Sequence, residues 1–128
     1  MRRRKIDGAD KATGRTRYAD DLSFPGMLHA KLKRSTKAHA KILSINVDKA
    51  LAMPGVHAVI TGKDLPALYG IIPWTKDENA LAVADVKYVG DAIAAVCAVD
   101  EETANAAVKA IVVEYEVLPA ILDTDTAK

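Results

Sequence analysis

Apolar and polar residues alternate along several short stretches of the chain. In residues 27–34, Leu28, Ala30 and Leu32 fall on one side of a period-2 pattern, with His29, Lys31 and Lys33 on the other. That period predicts a strand with one buried and one wet face, the leucine side inward. Residues 41–47 repeat it, with Leu43, Ile45 and Val47 sharing a face. Asp48 is placed to cap a short helix running to Met53, and Pro54-Gly55 to stop it. A third strand is expected over 56–61, with Val56, Ala58 and Ile60 on one face. Residues 86–99 form the most apolar segment, and Ile93–Val99 has no polar side chain apart from the Cys97 thiol. Such a run suggests a strand covered on both faces.

From Asp100 the period changes. Ala104, Ala107, Val108 and Ile111 recur at helical spacing and make one apolar stripe. Glu101 and Glu102 suit the positive end of that helix and Lys109 the negative end. A last strand follows, with Val113, Tyr115 and Val117 inward, Glu114 and Glu116 outward, and Pro119 at its end. Strands outnumber helices without strict β-α alternation, so the expected class is α+β. The expected core comprises Leu32, Ile45, Val59, Ile60, Ile93, Val96, Val108, Ile111 and Tyr115.

Between these elements lies a long irregular stretch, Gly62 to Asp85, broken by Pro66, Gly70 and Pro73 and holding Trp74, the single tryptophan. Loops of this length in compact domains are often functional. An apolar loop bearing a tryptophan is also poorly suited to water.

Composition narrows the function classes. The 128 residues fit one domain, half apolar, with a formal charge of +1. That charge gives no global field for nucleic acid or an anionic membrane, and no apolar run is long enough to span a bilayer. Residues 1–6 read as a basic, disordered tail. No apolar stretch of a signal peptide follows it, and a cytoplasmic protein is expected. The one cysteine excludes an internal disulfide.

Familiar catalytic patterns are missing. His29, His39 and His57 are too scattered for a local metal site. Cys97 lies in the most apolar stretch, where a thiol is expected to be structural. No serine sits in a G-x-S-x-G elbow. Gly62-Lys63 follows a strand as a phosphate loop would, but position 57 is His57 rather than glycine, and Asp64 stands where Ser or Thr would hold magnesium. The paired carboxylates Asp20–Asp21, Glu101–Glu102 and Glu114–Glu116 read as a turn, a helix start and a wet strand face. No catalytic, cofactor-binding or metal-binding residue is assigned.

The order of several short segments is informative. Asp7-Gly8-Ala9-Asp10-Lys11-Ala12-Thr13-Gly14 runs into Arg15-Thr16-Arg17-Tyr18-Ala19-Asp20-Asp21. Pro25-Gly26-Met27-Leu28-His29, Arg34-Ser35-Thr36-Lys37-Ala38-His39-Ala40-Lys41-Ile42 and Pro54-Gly55-Val56 follow. Then come Gly62-Lys63-Asp64-Leu65-Pro66, Val86-Lys87-Tyr88-Val89-Gly90-Asp91-Ala92-Ile93-Ala94-Ala95-Val96 and Val113-Glu114-Tyr115-Glu116-Val117-Leu118-Pro119-Ala120. The series resembles the α/β hammerhead domain of the molybdenum hydroxylases, the family of xanthine dehydrogenase and aldehyde oxidase.

The resemblance implies a hammerhead over residues 7–123, a mixed sheet with two main helices packed on it, and a linker at 124–128 to a following domain. It implies a structural domain of an oxidoreductase whose molybdopterin sits in later domains. Iron–sulfur modules or subunits, with or without FAD, would be further partners. This chain alone would bind no cofactor and have no activity. The resemblance further implies that Ile71, Ile72 and Trp74, in the loop before Asp77-Glu78, reach the mouth of the substrate channel; the alternative expectation is that they dock on the following domain or on this domain's own core. The rival expectation is a stand-alone protein-binding subunit or adaptor with the same fold. Binding of nucleic acid through Arg2, Arg3, Arg4 and Lys5 is not expected, because no aromatic or basic surface extends that arm.

Overall fold

The computed structural model describes residues 5–72 and 74–127. Most of the basic tail (residues 1–4), Pro73 and Lys128 lie outside the described residues. The elements run α1 (Gly8–Ala12), β1 (His29–Arg34), β2 (Ala40–Asn46), α2 (Asp48–Leu51), β3 (Val56–Thr61), β4 (Asp85–Val86), β5 (Ala92–Ala98), α3 (Glu101–Ala110) and β6 (Val112–Val117). Short 3-10 turns occupy Ala19–Asp21 and Gly62–Asp64. The strands make two three-stranded sheets, β1-β5-β3 and β4-β2-β6, and every pairing is antiparallel. The α+β hammerhead expectation is met, with two antiparallel sheets in place of one mixed sheet.

Two apolar clusters hold the parts together. Ala94 and Val96 of β5 meet Ala50 of α2, Ala107 of α3 and Ile111, with Val59 and Val108 packed around them. Ile93, Val86, Ala82 and Ala40 form the second, flanked by Tyr115. Ile45 and Val113 touch both clusters and so tie the two sheets together. Alanines dominate the interior because a helix can approach a sheet closely only where side chains are small. Burial pushes the Tyr115 hydroxyl above its ordinary pKa, and the Ser35 hydroxyl beside it opposes that shift. Among the described residues no buried side-chain polar atom lacks a partner.

Helix α3 starts as expected: the Asp100 carboxylate accepts the Thr103 N–H at 2.7 Å. Helix α2 does not. Asp48 is its first residue, and the Asn46 side chain accepts the Asp48 N–H at 3.1 Å. A bulge between Ile42 and Ser44 turns Leu43 outward and leaves Ile42 and Ile45 facing in, against the expected Leu43–Ile45–Val47 face. Val117, expected inward, is exposed at the end of β6.

Strand β1 is inverted relative to expectation. The face of His29, Lys31 and Lys33 is the better buried one, and Leu32 is 39% exposed. The aliphatic stems of the lysines lie along α3, with the Lys31 ammonium on Glu101 and the Lys33 ammonium donating to the Val108 carbonyl at 3.2 Å. Ile60 is exposed as well, so two of the nine expected core residues are not core. Strand β5 is covered fully on one face only: Ala94, Val96 and Ala98 are buried, while Ala95 and Cys97 are half-buried.

Candidate interaction surfaces

Among the described residues, two exposed apolar surfaces stand out. The first is the loop after β3. Gly62 anchors its start, since a Cβ there would come within 2.6 Å of the Leu81 carbonyl oxygen and 2.7 Å of that of Ala82. Asp64 accepts both the backbone N–H and the hydroxyl of Thr61, which hold its carboxyl below the usual aspartate range. Further out, Tyr69 and Glu78 exchange backbone hydrogen bonds of 3.0 and 2.9 Å and pinch the loop at its neck. At Gly70 an added Cβ would collide with the Thr75 carbonyl oxygen, so only glycine closes this neck. The Thr75 N–H donates to the Ile72 carbonyl at 3.1 Å, forming the turn at the tip. The three residues singled out by the sequence share that tip: Ile71 is 91% exposed, Ile72 50% and Trp74 84%.

A recess of about 770 Å³ opens between this loop and β4. Lys63 and Lys87 line it together with Asp77, Glu78, Asp85 and Asp91, so its charge is mixed. Among the described residues no group of three or more His, Cys, Asp or Glu side chains is placed to hold a metal ion. The histidines are dispersed, and the His39 ring is engaged by the Pro119 carbonyl at 2.8 Å. Carboxylates with lowered pKa have structural causes: Thr103 at Asp100, Lys31 at Glu101 and Thr126 at Asp123. No helix among the described residues is long and apolar enough to cross a membrane.

The second surface has no counterpart in the sequence reading. Strands β1, β5 and β3 align Leu32, Ala95 and Ile60 in one row, and Ala30, Cys97 and Ala58 in the next. Directly paired residues share a sheet face. The opposite face carries Lys31, Val96 and Val59 under α3. The Leu32 row therefore faces away from the core.

Comparison with known proteins gives this architecture a family. The profile described as "Aldehyde oxidase and xanthine dehydrogenase, a/b hammerhead domain" matches residues 13–119. The chain belongs to that family. It is 51% identical over 114 residues to a probable xanthine dehydrogenase subunit of Bacillus subtilis, covering 88% of this chain and 15% of that protein. It is 40% identical over 133 residues to the xanthine dehydrogenase molybdenum-binding subunit of Escherichia coli O157:H7, covering 96% of this chain and 18% of that one. Among solved structures, quinoline 2-oxidoreductase from Pseudomonas putida 86 superimposes with a TM-score of 0.86 at 37% identity, over 95% of this chain and 16% of that chain. This hammerhead thus spans less than a fifth of the length of these relatives.

Proposed function

We propose that this chain is a structural, interface-forming domain of a molybdenum hydroxylase large subunit. The whole enzyme would be an oxidoreductase of the xanthine dehydrogenase and aldehyde oxidase kind, working in the cytoplasm. Residues 7–123 form the domain, and 124–128 lead to the molybdopterin-binding part. Molybdopterin is held there, and iron–sulfur modules or subunits, with or without FAD, complete the electron path. The hammerhead itself carries no catalytic group. Its loop tip, Ile71, Ile72 and Trp74, meets the neighbouring domain and forms a lip of the substrate channel.

The observation that carries this reading is the apolar tip held out on a pinned neck. An isolated domain gains nothing by placing two isoleucines and a tryptophan in water. Burying a tryptophan and two isoleucines against a partner is a strong source of association energy. In the full-length enzyme, Trp74→Ala is expected to change kcat/KM unequally across substrates of different size. Loss of stability with kcat/KM intact for every substrate would make the tip a docking element and reject the channel role. A native protein with neither a larger polypeptide nor molybdenum would favour a stand-alone adaptor instead.

A further inference from the structure

We propose that the pocket between the end of β1, the last turn of α3 and β6 binds a phosphate group, either as the free ion or as a monoester on a small metabolite. Every group it uses belongs to this chain, so the site is independent of the large-subunit reading above.

The pocket has a volume of about 360 Å³, and its polar lining is Lys33, Arg34, Thr36, Lys109 and Tyr115. Among the described residues no carboxylate lines it, in contrast to the mixed recess beside β4. The acids nearest in sequence are engaged elsewhere. Asp91 accepts the Lys87 N–H, Glu114 accepts the Ser44 hydroxyl, and Glu116 pairs with Lys41. The C-terminal end of α3 brings roughly half a negative charge to set against the three side-chain cations. A strongly positive pocket remains. A phosphate monoester carries about −1.5 to −2 charges and offers three acceptor oxygens, which matches that excess. A single carboxylate would leave much of it uncompensated.

The backbone makes these cations converge. Neighbours on a strand ordinarily point to opposite faces, yet Lys33 and Arg34 line the same pocket. The β1–β5 register breaks between them, with Lys33 opposite Ala94 and Arg34 opposite Ala92. Such irregularities re-aim side chains. Backbone carbonyls then hold both heads in place: the Lys33 ammonium donates to Val108 at 3.2 Å and the Arg34 guanidinium to Gly90 at 2.9 Å. Each keeps further N–H donors for a ligand, and has less side-chain freedom left to lose on binding. The Lys109 ammonium and the Thr36 hydroxyl have no partner among the described residues. Compensation of the helix end would account for Lys33 and Lys109. It leaves Arg34 and Thr36 unexplained, and a guanidinium fork suits a phosphate better than a helix carbonyl.

The experiment measures acylation of lysines in the native polypeptide by an N-hydroxysuccinimide ester, located by peptide mapping, with ionic strength held constant by chloride. Inorganic phosphate, glycerol phosphate and acetate are the probes. Lys63 and Lys87, exposed on the mixed-charge recess, are internal controls. Labelling of Lys109 is expected to slow about fivefold once phosphate reaches about four times its dissociation constant, as the unoccupied fraction falls. The controls should keep their rates. Stronger protection by glycerol phosphate assigns the site to an ester, and stronger protection by inorganic phosphate assigns it to the free ion. Thr36→Glu places a carboxylate in the pocket from an exposed position and should abolish the protection, and Arg34→Gln should weaken it. Equal slowing at Lys63 and Lys87, equal protection by acetate, or protection that survives Thr36→Glu would overturn the proposal. So would a Lys109 that is unreactive in the native protein before any probe is added, because a neighbouring part of the protein would then fill the pocket.

Discussion

Lys31 on β1 and Glu101 in the first turn of α3 meet at 2.5 Å across 70 residues of sequence. The hydrogen bond and charge of Lys31 hold the Glu101 carboxyl below its ordinary value of 4.5. A carboxylate depressed in the folded state stabilises above its unfolded pKa, and that stability is lost as the pH falls through the folded value. A double-mutant cycle of Lys31→Met and Glu101→Gln should therefore show favourable coupling at neutral pH that disappears in acid below the glutamate range. Both side chains are substantially exposed, so the coupling should be small and should shrink further in concentrated salt. Coupling unchanged by acid or salt would mean that the contact acts as a hydrogen bond that survives protonation of Glu101 rather than as an ion pair.

Asp100 offers a cleaner separation of charge from hydrogen bonding. Its carboxylate caps α3 through the Thr103 N–H, and the same bonds lower its pKa. Asp100→Ala should lower the melting temperature, whereas Asp100→Asn should retain most of it, because asparagine caps comparably. The asparagine variant should also lose less stability on acidification than wild type, having no proton to gain there. If Asn and Ala variants melt alike, the cap contributes through charge on the helix end alone.

Core and surface leucine-sized residues should separate in the same assay. Ile93 and Ile111 are essentially fully buried. Their replacement by Ala should cost about 2–5 kcal/mol in denaturant unfolding. Leu32→Ala in the isolated chain should cost under about 1 kcal/mol, since Leu32 stands on the open face. A Leu32 loss as large as that of Ile93 would mean that this sheet face is covered within this chain.

That contrast shows where the sequence is readable. Helical spacing locates α3, its Asp100 cap and its alanine face, because 3.6-residue periodicity and cap chemistry are local. Alternation also locates β1, but period 2 states only that two faces differ. Lys31 and Lys33 can be the covered side because their stems are apolar and their ammonium groups reach Glu101 and a helix carbonyl. No local signal distinguishes that from a solvated lysine face. The expectation for Leu43 fails for a related reason: one bulged residue shifts every later face. The tip of Ile71, Ile72 and Trp74 is legible as composition alone, while its pinned neck depends on the Tyr69–Glu78 pairing, which joins residues across an irregular loop.

The neck gives a prediction that isolates the loop from the domain. Gly70 has no room for a Cβ, the nearest obstacle being the Thr75 carbonyl oxygen. The backbone carbonyl cannot swing aside as a side chain would, so Gly70→Ala must open the Tyr69–Glu78 pairing. Hydrogen exchange at the Tyr69 and Glu78 amides should then rise toward unprotected rates, while amides of β5 stay protected. The melting temperature should change little, because neither apolar cluster includes a residue of this loop neck. Acrylamide quenching of Trp74, already 84% exposed, should remain close to that of a free indole in both proteins. Retained protection at Glu78 would show that the loop closes through other contacts, and would remove the neck as the element that presents Trp74.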